Sequence, residues 1–247
     1  LLTVCQLFAL SQARCYGAGE FWGQDRLLAQ QLAISTTGSD ADFSGRKLGA
    51  KGQRTRQQLI DATVALLETH GLRDVSVVDV ARVAHTSPAT FYVYFKGVPE
   101  VVLAALESAT QTSPELEAII ARDWLAPGVE ETARAFVDCY TKLWSRNRTI
   151  FVVRNLAAEE GDGRFYEARM RQARPMMTAI SRQIERAQDA GRIPKHLSPR
   201  ACTGTILMML ERLSALGPIS RNDDGISYDD LKAAAAHSMA IMLGAHG

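Results

Sequence analysis

Two helix starts stand eleven positions apart, at Ser76 and Ser87, and nothing else in the chain restricts its fold so closely. Ser76 is a strong N-cap with Asp79 three residues on, and Val77, Val80, Ala81 and Ala84 recur behind it at helical spacing, which predicts a short helix ending near His85. Ser87 then caps a second helix with Pro88 at its first position, where a missing N–H costs nothing, and this helix runs through Phe95. Joined by the three-residue turn from His85 to Ser87, the pair forms a helix-turn-helix whose second member fits a major groove about 12 Å wide.

The helical pattern extends to the end of the chain. Leu59, Ile60, Thr63, Val64, Leu66 and Leu67 recur at three and four, predicting a helix over residues 54–69 ahead of Gly71. A fourth helix starts near Pro99 and carries Val101, Val102 and Leu106. Six more are predicted over 114–122, 129–145, 148–159, 164–190, 198–216 and 227–244, with Gly and Pro between them and no period-two alternation. Pro175 is expected to kink or divide the 164–190 segment. The fold class is therefore all-α: an N-terminal three-helix helix-turn-helix DNA-binding domain, followed by a larger helical domain, for which ligand binding and dimerisation are what the family resemblance of residues 55–106 implies.

Charge marks where nucleic acid would bind. The whole chain is nearly neutral at +1, which excludes a uniformly basic coat protein, but residues 46–98 carry eight basic and four acidic side chains. The 45 residues before them are net acidic and end in a polar, Gly-containing run that reads as linker. Residues 1–51 are thus expected to be a poorly ordered extension with a basic arm, 52–112 the DNA-binding domain and 113–247 the ligand-binding and dimerisation domain. Arg46, Lys47, Lys51, Arg54 and Arg56 have no acid among them and suit phosphates or a minor groove. On the second helix of the motif, Pro88, Ala89, Thr90, Val93 and Tyr94 present small side chains and hydroxyls to base edges and phosphates. Tyr92 and Tyr94, two apart, cannot share a face, so one packs while the other touches phosphate; Phe91 and Phe95, four apart, read as core.

Residues 55–106, above all Ser76-Val-Val-Asp-Val-Ala-Arg-Val-Ala84 followed by Ser87-Pro-Ala-Thr-Phe-Tyr-Val-Tyr-Phe95, resemble the DNA-binding domain of TetR-family transcriptional regulators. The resemblance implies an all-helical homodimer joined by its last two helices, with a small-molecule site in the C-terminal domain. It also implies DNA contacts from Val77 and Val78 on the supporting helix and from Ser87, Pro88, Ala89, Thr90, Tyr92, Val93, Tyr94 and Lys96. Two positions depart from the family's pattern. His85 stands where the turn usually has Gly, and Val98 where a phosphate-binding Lys commonly follows, with Lys96 its possible replacement.

In the C-terminal half, Phe136, Tyr140, Trp144, Phe151, Met176 and Met209 supply aromatic and flexible side chains that either line an apolar cavity or fill a solid core. Asn155, among Val152, Val153 and Leu156, is a candidate hydrogen-bond partner for a ligand or a solvent-facing residue. The last two helices carry Ile206, Leu207, Met209, Leu210 and Leu213, then Leu231, Ala234, Met239, Ile241, Met242 and Leu243. With little chain after them, those stripes are expected to be covered by a second copy.

No hydrolase, metalloprotease or P-loop signature occurs, the four cysteines have no ligand spacing, and a loop-like run near Asn222 lacks the first and twelfth ligands of a calcium site. No metal, cofactor or membrane span is expected, and a reducing cytoplasm is the expected compartment. The reading is a DNA-binding regulator, a repressor released from a pseudo-palindromic double-stranded operator by an unknown small apolar effector. Its rival is a helical enzyme or lipid carrier with an incidental helix-turn-helix, and salt-dependent duplex binding separates the two.

Overall fold

The structure, a computed structural model, describes residues 48–109, 113–125, 128–219 and 225–244. The expected N-terminal extension, with Arg46 and Lys47, lies outside the described residues. Ten α-helices and no strand occur among those described: α1 (Ala50–Leu67), α2 (Val77–Val83), α3 (Pro88–Tyr94), α4 (Val98–Ala109), α5 (Pro114–Ile120), α6 (Val129–Arg146), α7 (Arg148–Glu159), α8 (Gly163–Asp189), α9 (Pro199–Leu216) and α10 (Tyr228–Met242). None is long and apolar enough to cross a membrane.

The first three helices and α4 share one set of apolar contacts. Leu59, Ile60, Val80, Phe91, Phe95, Val101 and Val102 are all buried, so the three- and four-residue spacings converge as the sequence required. The α2–α3 turn is set by backbone bonding. His85 adopts a left-handed conformation at φ 51°, the Thr86 N–H donates to the Ala81 carbonyl at 2.9 Å and the His85 N–H to Arg82 at 3.2 Å, closing α2 in a Schellman motif. A non-Gly residue in that conformation costs roughly 1–2 kcal/mol, offset in part because Gly would enlarge the freedom of the unfolded chain. His85→Gly is therefore expected to raise stability by up to about 1 kcal/mol, and His85→Val to lower it, in paired urea titrations; equal midpoints for the two variants would show that the turn is unstrained.

Beyond α4, α8 packs on α7 and α9, while α6 lies against both α9 and α10. Three expectations are corrected here. Lys51, Arg54 and Arg56 belong to α1 and not to a flexible arm, because residues 50–56 are mostly good helix formers and Arg56 settles 5.1 Å from the Phe95 ring. Pro175 does not divide α8, which is one helix of 27 residues; Pro175 and Arg171 are both exposed, so water reaches the carbonyl that loses its partner. The main apolar stripes of α9 and α10 do not await a second copy. Ile206, Leu210, Leu213, Met239 and Leu243 are buried within the chain, where α8 and α6 pack on α9 and α6 packs on α10.

Polar anchors fix the ends of these helices. Ser227 and Asp230 form the expected reciprocal capping box at α10. Arg148, at the start of α7, donates to the carbonyls of Ser214 and Ala215 at 3.1 and 2.7 Å, satisfying the last turn of α9 where Gly217 turns the chain away at φ 59°.

Candidate functional site

The outward surface of the helix-turn-helix is built on its two caps. Ser76 Oγ accepts from the Asp79 N–H and donates to its carboxylate, which also receives Arg82 at 2.9 Å. These bonds, the Ser76 hydroxyl foremost, hold the Asp79 carboxyl below its ordinary pKa. Ser87 Oγ accepts from the Thr90 N–H at 3.1 Å and lies 3.0 Å from the Thr90 hydroxyl. Pro88 and the cap together start α3 where the chain must change direction, and Phe91 and Phe95 anchor its inner face.

With that face buried, Pro88, Ala89, Tyr92, Val93 and Lys96 point outward, and Val78 of α2 stands beside them at 62% exposure. Large apolar side chains left this open on a surface helix are the feature that needs an explanation. Thr90 is half-exposed. Val77 and Tyr94 are half-buried against the core, and a methyl at Gly52 of α1 would stand 3.6 Å from the Tyr94 hydroxyl. Of the two tyrosines, Tyr94 is the one that packs and Tyr92 the one that is presented. Lys51 is exposed on the first turn of α1.

The C-terminal candidates fall into two groups. Phe136, Tyr140, Trp144 and Phe151 are buried, with Phe136 stacked near Tyr140 at 6.2 Å and Trp144 edge-on to Phe151 at 5.4 Å. Met176 and Met209 are half-buried and pack on the same core. A cleft with about 310 Å³ of open volume lies elsewhere, between α1, α4 and the α6–α7 corner; its wall includes Ile60, Val64, Ala105, Asn147 and Ile150 and none of the seven candidates.

Asn155 is half-buried and not alone. Its amide joins a part-buried polar cluster that the sequence reading missed, made by the buried Arg154 of α7 with Gln172 of α8 and Glu211 of α9. Arg154 Nη2 lies 2.5 Å from Glu211 Oε1, Nε donates to Asn155 Oδ1 at 3.0 Å, and Nη1 bonds Gln172. Burial pulls the guanidinium pKa down against the opposing pull of Glu211. Burial first and Glu211 second push the Tyr140 hydroxyl well above its usual range, so it remains a protonated donor.

A helix-turn-helix whose second helix presents small and apolar side chains outward has the architecture of a DNA-binding protein. The family model described as bacterial regulatory proteins, tetR family, matches residues 59–105, and the one described as tetracyclin repressor-like, C-terminal domain, matches residues 116–246. The chain belongs to the TetR family. Among curated relatives, the HTH-type transcriptional regulator AqdR of Rhodococcus erythropolis is 34% identical over 73 residues, 30% of this chain and 35% of that protein. The match thus spans about a third of that relative's length. Among solved structures, the fatty acid degradation regulator FadR from Bacillus halodurans aligns with a TM-score of 0.57 at 18% identity, covering 81% of this chain and 98% of that one. The MbdR regulator from Azoarcus sp. CIB aligns with a TM-score of 0.57 at 15% identity, covering 78% and 100%. FadR from Bacillus subtilis, solved in complex with stearoyl-CoA, has a TM-score of 0.56 at 17% identity, covering 76% and 97%.

Proposed function

We propose that the chain is a repressor: a homodimer that places α3 in successive major grooves of a pseudo-palindromic operator and releases it when a small effector enters the helical domain. The observation that carries this reading is the outward face of α3, where Pro88, Ala89, Tyr92 and Val93 stand open with no acid between Ser87 and Lys96. Base edges and thymine methyls accept such a surface, and an acid there would repel phosphate. The family assignment favours this over a helical enzyme or lipid carrier. The protein acts in the cytoplasm without a metal or cofactor, and the site residues in its C-terminal domain are Phe136, Tyr140, Trp144, Phe151, Asn155, Met176 and Met209.

The test is duplex binding against salt, using DNA from upstream of the gene. Log affinity should fall linearly with log salt, and a flat line would favour the carrier instead. Replacing Arg46 and Lys47 by Ala should lower the slope by up to ~2 while sequence preference persists; an unchanged slope would mean that these residues do not reach DNA. Thr90→Ala should weaken binding to the preferred duplex by about 1–3 kcal/mol and relax the preference at one base pair. The Ser87 cap takes the Thr90 backbone N–H, which the variant keeps, and water can replace the exposed Thr90 hydroxyl beside Ser87, so the melting temperature should fall only slightly. Equal affinity across duplex variants would remove Thr90 from the readout.

A further inference from the structure

We propose that Arg154 and Asn155 form a carboxylate-receiving pair, and that the effector is an apolar molecule with one carboxylate, which binds by displacing Glu211 from them. This rests on the ligand-responsive reading above and names the chemistry of its effector. Two donors on α7, Arg154 Nη2 and Asn155 Nδ2, converge on a single oxygen, Glu211 Oε1, at 2.5 and 3.2 Å. The resident carboxylate comes from a different helix, 57 residues away. The two partners are unequal: the Arg154 side chain is 3% exposed and held by three neighbours, while that of Glu211 is 26% exposed. Arg154 is therefore the fixed member, and Glu211 the one that can turn to water.

Stability alone does not account for this cluster, because a buried ion pair gains little over a packed apolar replacement. Charge decides what can enter. A carboxylate exchanged for a carboxylate leaves the buried guanidinium neutralised, whereas an alcohol leaves it uncompensated and a cation adds to it. The surroundings suit an apolar body. The Phe151 ring lies 4.7 Å below the Arg154 guanidinium with Trp144 edge-on to it, and Tyr140 feels both charges as a protonated donor. Met176 follows Gln172 by one helical turn and Met208 precedes Glu211 by nearly one, so a flexible side chain adjoins each partner that would have to part. The exchange also has a route to the DNA-binding helices. The chain that runs on from Arg154 makes two pairs with the N-terminal half, Glu160 with Arg73 of the α1–α2 connection at 3.0 Å and Arg164 with Glu100 of α4 at 2.7 Å.

The experiment sets saturated carboxylates of six to eighteen carbons against matched primary alcohols and alkyltrimethylammonium ions. Each is added to the full chain, read by thermal shift without DNA and by release of a bound duplex. At least one carboxylate should raise the melting temperature and release DNA at concentrations at least tenfold below its alcohol. Glu211→Gln removes the resident competitor, so it should melt lower than wild type when free and be rescued by that carboxylate, with an apparent affinity at least fivefold tighter. Asn155→Leu, which leaves the ion pair in place, should weaken the same carboxylate about tenfold. Alcohols as potent as carboxylates, or a Glu211→Gln protein that binds the carboxylate no better than wild type, would overturn the proposal. Failure of the ligand-free protein to bind any upstream duplex would instead overturn the regulator reading, and the thermal shifts would still decide the carboxylate.

Discussion

Glutamate in place of both Met208 and Ile241 is expected to yield a folded monomer whose operator affinity is lower by roughly 10²- to 10⁴-fold, the advantage of binding two half-sites at once. These two residues are the most open large apolar positions on α9 and α10, with Met208 66% and Ile241 48% exposed. Around Ile241, the outer side of α10 carries Ala233, Ala234, His237 and Ser238, mostly small side chains that let a partner helix approach closely. A two-fold pairing of α9 and α10 with their copies would cover these positions in a four-helix arrangement. Leu210 and Leu213 are the wrong targets for such a test. They are 0% and 7% exposed within one chain, so charges there would unfold the protomer before they could report on assembly. Light scattering and fluorescence anisotropy on the Met208 and Ile241 double variant decide the matter: a variant that stays dimeric, or a monomeric wild type, places the interface elsewhere or removes it.

That contrast shows what the sequence can and cannot express. Periodicity identifies the helices and the face of each that must be covered, so Phe91 and Phe95 are legible as core and Ile206 and Leu210 as an apolar stripe. It does not say whose side chains bury that face. The stripes on α9 and α10 look the same whether covered by α6 or by another chain, and only tertiary placement separates Leu210 from Met208. The helix-turn-helix was readable almost to the residue because its determinants are local: Ser76 and Ser87 as caps, Pro88 at N1, and a His able to take a left-handed turn. The start of α1 was not, since capping gives no signal there; Gly49 makes no side-chain bond, and basic residues that favour a helix equally suit an arm. The Arg154 cluster joins residues from three helices, and no spacing rule connects Arg154 with Gln172 and Glu211. One local sign existed: Arg154 occupies an apolar position in the series Ile150, Phe151, Val153, Arg154 and Ala157, where a lone charge requires a buried partner.

Removing the Phe91 ring should abolish DNA binding while leaving the C-terminal helices folded. Phe91 is fully buried, stands 5.9 Å from Phe95 and fixes α3 against α1 and α2, so Phe91→Ala is expected to cost about 3–5 kcal/mol. A helical unit of some 50 residues rarely holds more than roughly 3–5 kcal/mol of its own, so the loss matches the stability of the entire recognition module. The core is continuous from Phe91 to the C-terminal helices, but those helices bring many large buried side chains of their own, among them Trp124, Phe136, Phe165, Ile180 and Leu210. The two halves are tied by α4, packed on α1, α7 and α8, and by α1 packed directly on α7, with the exposed Arg73–Glu160 and part-exposed Arg164–Glu100 pairs, and surface pairs of this kind add at most about 1 kcal/mol each. Melting of α1 to α3 therefore uncovers one side of α4 and α7 and leaves the packing of α6 and α8 to α10 in place. Hydrogen exchange tests this directly: in Phe91→Ala, amides of residues 59–95 should lose most of their protection while those of α8 keep theirs, and operator affinity should fall below detection. Uniform loss of protection from α1 to α10 would show instead that the chain opens as one cooperative unit, and would remove the domain boundary expected near residue 112.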